Sequence, residues 1–276
     1  MIGWLIYSAV DVEKNKYYIQ MYKDKFKEHF IEIKLVIVEE LENMEQYVKC
    51  NKVDFAINRS RNHIMGELLE QKGVRVFNSS SVTRIANNKG ITYEFLKDVV
   101  PFLAVKYGNE IIESKIENKG FEYPYVIKSC SGHGGSQVFL VNYSKEEEQA
   151  IKAMNGQEYV VQQCCSDLGR DVRVYIIGNK IIKAVLRTST ESFKSNYSLG
   201  GKVQEYTLNN EEKAMVERIV DKLPLDYAGI DFTFHNGKAV FNEIEDAVGA
   251  RMLYQVSDID IVEMYIKHIL EQLSKE

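Results

Sequence analysis

The chain is 276 residues long, 45% hydrophobic and 27% charged, with a formal net charge of −5. This suits one large or two smaller globular domains with ample core material, and it removes any global electrostatic case for nucleic acid or an anionic membrane. No apolar run approaches the ~18 residues that would span a bilayer. Met1-Ile2-Gly3-Trp4 leads into a strand-like run without the basic region and cleavage site of a signal peptide. The four cysteines (Cys50, Cys130, Cys164, Cys165) show neither Cys-x-x-Cys spacing nor disulfide density, so a cytoplasmic location is expected.

The first ~80 residues alternate strand and helix patterns. Ile2–Tyr7, Ile33–Val38, Val53–Ile57 and Val74–Phe77 read as strands. Between them lie helical patterns at Lys14–His29, Glu40–Lys49 and Asn62–Gln71, the first with Tyr18, Met21, Tyr22 and Phe26 as core positions. Such alternation predicts a doubly wound parallel sheet, whose ligands bind beyond the carboxyl ends of its strands. Arg59 and Arg61 follow a strand there and read either as anion contacts or as a solvated loop pair. Neither G-x-G-x-x-G after the first strand nor a G-x-x-x-x-G-K-[ST] motif is present. Ser79–Asn88 reads as a polar connection, and Asn88-Lys89 opens a helix to Lys97.

From Pro101 the pattern turns to antiparallel β. Strands at Tyr125–Ser129 and Gln137–Val141 flank the loop Cys130-Ser131-Gly132-His133-Gly134-Gly135-Ser136. Backbone N–H groups of such a loop can close over a phosphate chain, because glycine lacks the side chain that would obstruct approach. Lys128 is placed to reach the same phosphates; the alternative is a plain hairpin tip. A helix at Ser144–Met154 and a strand at Glu158–Gln163 follow, then strands Asp171–Ile177 and Lys180–Arg187 joined at Gly178-Asn179. Asp171, Arg173, Lys183 and Arg187 alternate with apolar residues, which makes one face polar. Ser192–Gly201 reads as a loop, Glu211–Leu223 as an amphipathic helix and Ile259–Leu273 as a closing helix.

Two strands near the C-terminus, about 229–234 and 238–245, are joined by His235-Asn236-Gly237. A two-residue turn would pair Asp231 with Asn242 and part Asp231 from Glu243 and Glu245. A three-residue loop brings those three carboxylates onto one face and collects Ile230, Phe232, Phe234, Val240 and Ile244 on the other. The second register separates acidic from apolar and is the one expected. Three like charges so close repel unless neutralised. A hard cation, Mg²⁺ or Mn²⁺, with phphosphate oxygens completing its shell, is the usual solution; a solvated acidic face is the other.

The ordered set Asn88-Lys89, YVIKSCSGHGGSQVFLV, EYVVQQCCSDLGRDVRVYIIGNKIIKAVLR, FKSNYSLGG and AGIDFTFHNGKAVFNEIED resembles the ATP-grasp superfamily, closest to its RimK-like carboxylate–amine ligases. The resemblance covers roughly residues 80–250. It implies an α/β (α+β overall) ATP-grasp fold: an N-terminal doubly wound parallel-sheet domain over 1–86, a central subdomain with the glycine-rich lid over 87–161, and a C-terminal subdomain with the metal site over 162–276, the last two clamping ATP. Carried over by residue, Lys89 and Lys128 would contact ATP phosphates under the loop of Ser131, Gly132, Gly134 and Gly135. Gln163 and Cys164 would border adenine, and Asp171 the ribose side. Arg187 and Lys194 would meet the phosphates and the reacting carboxylate, with Asn196 near the metals. Asp231, Glu243 and Glu245 match the family's positions for Mg²⁺ (or Mn²⁺), two ions in all.

Several positions depart from the family pattern. Gln163 stands for Glu, Lys194 for Arg, Leu199 for Arg and Glu245 for Asn, and no proline-glycine follows the metal strand. Glutamate addition is therefore not inherited. With Leu199 apolar, Arg251 becomes a substrate candidate if a turn at Gly249 points it back at the reacting centre, alongside Arg59 and Arg61; a surface arginine is the alternative. The expected activity is ATP-dependent ligation of a small-molecule or peptide carboxylate to an amine, through an acylphosphate, releasing ADP and phosphate. No nucleic-acid or membrane partner is expected, and homo-oligomerisation is left open. The rival readings are an ATP-grasp kinase acting on a small molecule and a non-catalytic ATP-binding regulatory module.

Overall fold

A computed structural model describes residues 1–108, 121–135, 137–189, 193 and 201–275. It begins with a four-stranded parallel sheet of order β2-β1-β3-β4, formed by β1 (Ile2–Tyr7), β2 (Glu32–Ile37), β3 (Phe55–Asn58) and β4 (Arg75–Phe77). Its central strands read as apolar runs because both faces are covered. Leu5 and Tyr7 face one way, with Ile19, Tyr22 and Phe26 of α1 (Ala9–Glu28). Trp4 and Ile6 face the other way, with Val48 of α2 (Met44–Cys50) and with Met65 and Leu69 of α3 (His63–Gln71). Asn43 and Asn62 cap α2 and α3.

The supposed polar connection after β4 is a helix, α4 (Ser80–Ala86), capped by Ser79. Its serines and threonine mask a buried face of Val82, Ile85 and Ala86. With α5 (Lys89–Leu96) it packs against the C-terminal sheet rather than the N-terminal one.

The second sheet, of order β5-β8-β6-β7, is antiparallel: β5 (Val105–Tyr107), β6 (Tyr125–Ser129), β7 (Val138–Val141) and β8 (Tyr159–Gln163), backed by α6 (Ser144–Met154). The third has order β11-β10-β9-β12-β13, from β9 (Arg170–Ile177), β10 (Lys180–Thr188), β11 (Lys202–Tyr206), β12 (Tyr227–His235) and β13 (Lys238–Glu245). On one face of it Val172, Val174, Ile176, Ile230 and Phe232 meet α4, α5 and α7 (Asn210–Lys222). On the other, Tyr175, Ile177, Val185 and Tyr227 join α1 and the C-terminal helices α8 (Arg251–Val256) and α9 (Ile261–Leu273) in one core with the parallel sheet. Farther along the same strands that second face becomes charged. The change marks the end of the N-terminal cover and the start of a cleft.

Candidate active site

The acidic hairpin brings Asp231 and Glu243 together as expected, but not through the expected three-residue loop. His235 pairs with Lys238, so the turn has two residues, and Asn236 and Gly237 both take positive φ (51° and 74°). That is the preferred geometry for a tight hairpin, because its twist matches the flanking strands. The extra residue sits in the strand instead: Phe232 pairs with Phe241 but Asp231 with Glu243, leaving Asn242 as a bulge. Phe241, not Val240, therefore joins Phe232 and Phe234 in the core.

Asp231 also lies opposite Arg173 of β9, while Arg187 of β10 lies opposite Asp171. Arg173 donates Nε to Asp231 Oδ1 and Nη2 to Asp231 Oδ2, both at 2.7 Å, and its Nη2 lies 2.6 Å from Glu245 Oε2. Arg187 donates Nη2 to Asp231 Oδ2 at 2.6 Å and forks onto Asp171. Burial alone would raise the carboxyl of Asp231, but the two guanidiniums outweigh it and hold the group at about 2. In this structure Asp231 thus has partners other than the expected metal. Arginines neutralise Asp231, whose side chain is fully buried with both oxygens accepting, and no cluster of three His, Cys, Asp or Glu side chains shaped for a metal occurs among the described residues. A divalent cation fits the outer pair better, because the side chains of Glu243 and Glu245 stay 33% and 28% exposed.

Above this strand face lies an open cleft, about 840 Å³ with its mouth included. Lys89, Lys128, Gly132, Gly134, Gly135, Gln163, Asp171, Arg187 and Glu243 all line it. Lys89, at the start of α5, donates to the carbonyl of Gly132 at 2.6 Å and lies 3.5 Å from Glu243. Lys128 donates to Asn242 Oδ1 at 2.8 Å. Burial pushes its ammonium down to about 8; Lys89 pushes the same way, against the pull of Glu243. Gly134 and Gly135 take positive φ (64° and 76°), which lets the loop turn back over the cleft.

Other expected residues fall elsewhere. Cys165, rather than Cys164, lines the cleft; Cys164 borders an adjoining pocket with Phe121 and Leu168. Lys194, Asn196, Leu199 and Ser136 lie outside the described residues. Arg59 is neither solvated nor open to an anion. It is 4% exposed, bonded to Tyr7 and to the carbonyls of Ala247 and Val248, and stacked by Tyr7, Tyr18 and Tyr227. Arg61 pairs with Asp11 at the mouth of the parallel sheet. Arg251 is exposed at the start of α8 and is not among the residues that line the cleft. Arg173 and Asn242 were not singled out as site residues. The alternation along β9 flagged Arg173 as polar, but nothing in one strand reveals a cross-strand fork.

One cleft therefore gathers the glycine loop, two lysines and the acidic strand, and the RimK-like ATP-grasp domain matches residues 94–269. The chain belongs to the RimK-like ATP-grasp family. It is 32% identical over 269 residues to the uncharacterized protein MG011 of Mycoplasma genitalium, covering 96% of this chain and 91% of the relative. It is 26% identical over 208 residues to a probable alpha-L-glutamate ligase of Haemophilus ducreyi, covering 72% and 67%. Among solved structures, D-alanine–D-alanine ligase from Bacillus anthracis complexed with ATP aligns with TM-score 0.74 at 16% identity, covering 100% of this chain and 98% of that one. The ATP-grasp ligase PsnB, complexed with a precursor variant, Mg and ADP, aligns with TM-score 0.72 at 14% identity over 98% of each chain. Both structural likenesses establish the ATP-grasp fold. RimK-like ATP-grasp proteins are ATP-binding ligases, and Mg²⁺ is typical of them.

Proposed function

We propose that the protein is a carboxylate–amine ligase that forms an amide or peptide bond through an acylphosphate. The observation that supports this most is the single cleft shared by Lys89, Lys128, the glycine loop and Glu243. A substrate carboxylate oxygen attacks the γ-phosphorus of ATP, the bond to the β–γ bridging oxygen breaks, and ADP departs. An amine then attacks the acyl carbon, the bond to phosphate oxygen breaks, and the amine gives up a proton. No enzyme nucleophile is needed; positioning and charge neutralisation carry the reaction.

In this reading Lys89 and Lys128 hold phosphate oxygens and the backbone at Ser131, Gly132, Gly134 and Gly135 closes over them. Gln163 borders adenine, with Cys165 in the place expected of Cys164, and Asp171 the ribose side. Arg187, held by Asp171 and Asp231, faces the transferring phosphoryl group, with Lys194 and Asn196 expected beside it. A divalent cation bound with the nucleotide would neutralise charge on that group. Glu243 and Glu245 are the residues to hold it, and Asp231 would join them only by releasing a guanidinium. Arg61 is the remaining arginine candidate for the substrate, at the carboxyl ends of the parallel strands.

The test is a screen of amino acids and peptides for ADP release that requires both a carboxylate and an amine, with Glu243→Gln as the control expected to abolish it. ADP release without an amine, with a stable phosphorylated product, would favour a kinase. Nucleotide binding without any turnover would favour a binding module.

A further inference from the structure

Charge around the cleft is balanced among the described residues. Four carboxylates (Asp171, Asp231, Glu243, Glu245) stand beside four cations (Lys89, Lys128, Arg173, Arg187): Arg173 and Arg187 join Asp171, Asp231 and Glu245 in one network, Lys89 pairs with Glu243 and Lys128 with Asn242, while Arg170 on the cleft wall has its own partner in Asp167. Three of these cations line the cleft, where an incoming nucleotide can engage them. Arg173 is different: it is 7% exposed, absent from the cleft wall, and spends its donors on Asp231 and Glu245. Its place is secured by Gly229, where a Cβ would come within 3.3 Å of Arg173 Cδ.

We propose that Arg173 is a built-in counter-cation that keeps free divalent metal off Glu243 and Glu245, so that metal is taken up only together with a nucleotide. The proposal rests on the reading of this cleft as a nucleotide site. A balanced cluster exerts little net pull on a dication. A nucleoside di- or triphosphate adds negative charge and engages Lys89, Lys128 and Arg187, which tips the balance towards the metal. Arg173 acts through the two carboxylates it holds and is a positioning residue.

Manganese binding measured by electron paramagnetic resonance, as loss of the free-ion signal, tests this on the intact protein. Wild type without nucleotide should bind Mn²⁺ no better than millimolar, and with saturating ADP should remove clearly more of the free-ion signal than the same ADP does without protein. Arg173→Met without nucleotide should bind at least about tenfold tighter than wild type, while Arg173→Lys, which keeps the charge, should behave as wild type. Tight Mn²⁺ binding by nucleotide-free wild type would overturn the proposal even if Arg173→Met failed to fold. Equal binding by Arg173→Met and wild type would also overturn it. ADP affinity without metal, by calorimetry, checks the underlying cleft reading separately: no ADP binding would refute that reading, whereas ADP binding with nucleotide-independent Mn²⁺ uptake would refute only the role of Arg173.

Discussion

Two buried arginine clusters divide this molecule. At the junction of the parallel sheet with the C-terminal sheet, Arg59 is satisfied by a phenol, two backbone carbonyls and three aromatic faces. In the cleft, Arg173 and Arg187 are satisfied by carboxylates. Neutral partners tie a cation to one place and leave nothing to exchange, so Arg59 fastens two units together. Carboxylate partners create a network whose charge an incoming anion or cation can shift. Equal burial therefore serves assembly in one place and chemistry in the other.

The comparison breaks most visibly at Asp231. Asp231→Asn leaves Arg173 with Glu245 alone and Arg187 with Asp171 alone, and should cost about 3–5 kcal/mol of stability, read by chemical denaturation. Its folded-state carboxyl sits at about 2, below the ordinary 3.8, so its contribution is complete above pH 3.8 and is lost as pH falls through about 2. A mutant as stable as wild type would mean the network does not hold the sheet. At the other cluster, Arg59→Met should cost about 2–3 kcal/mol by leaving the carbonyls of Ala247 and Val248 unpaired, with ADP affinity unchanged by calorimetry. Weakened ADP binding there would erase the distinction between the clusters.

Lys128→Met should reverse that pattern, with stability little changed and ADP affinity lower by about 1.5–3 kcal/mol. In wild type the affinity should fall as pH rises through about 8, where the buried ammonium loses its proton, and the mutant should lack this dependence. A pH-independent wild type would remove Lys128 from the phosphates. The smallest effect is expected at Asn242→Ala, which deprives Lys128 of its uncharged partner and should weaken ADP by about 1 kcal/mol. An Asn242→Ala protein that matches Lys128→Met would instead make the bulge itself the main determinant of the site.

Local pattern was enough for the alternating elements of the parallel sheet, for the helix at Ser144–Met154 and for the hairpin at Gly178-Asn179, although the first helix starts at Ala9 rather than Lys14 and the second at Met44 rather than Glu40. The glycine loop with Lys128, and the acidic residues of the last hairpin, were legible for the same reason: their chemistry depends on spacing of two residues along a strand or on a short loop. What the tertiary structure alone decided involves partners distant in sequence. The bulge at Asn242 is one case, since the two-residue turn by itself would pair Asp231 with Asn242, and only the packed sheet places the extra residue that brings Asp231 opposite Glu243. The fates of Arg59, Arg173 and Arg251 are another: in sequence all three are lone cations, and burial against tyrosines, a fork onto carboxylates and exposure at a helix start separate them. A side chain's charge is a local property, but the groups that satisfy it are brought by strands and domains that meet only after folding.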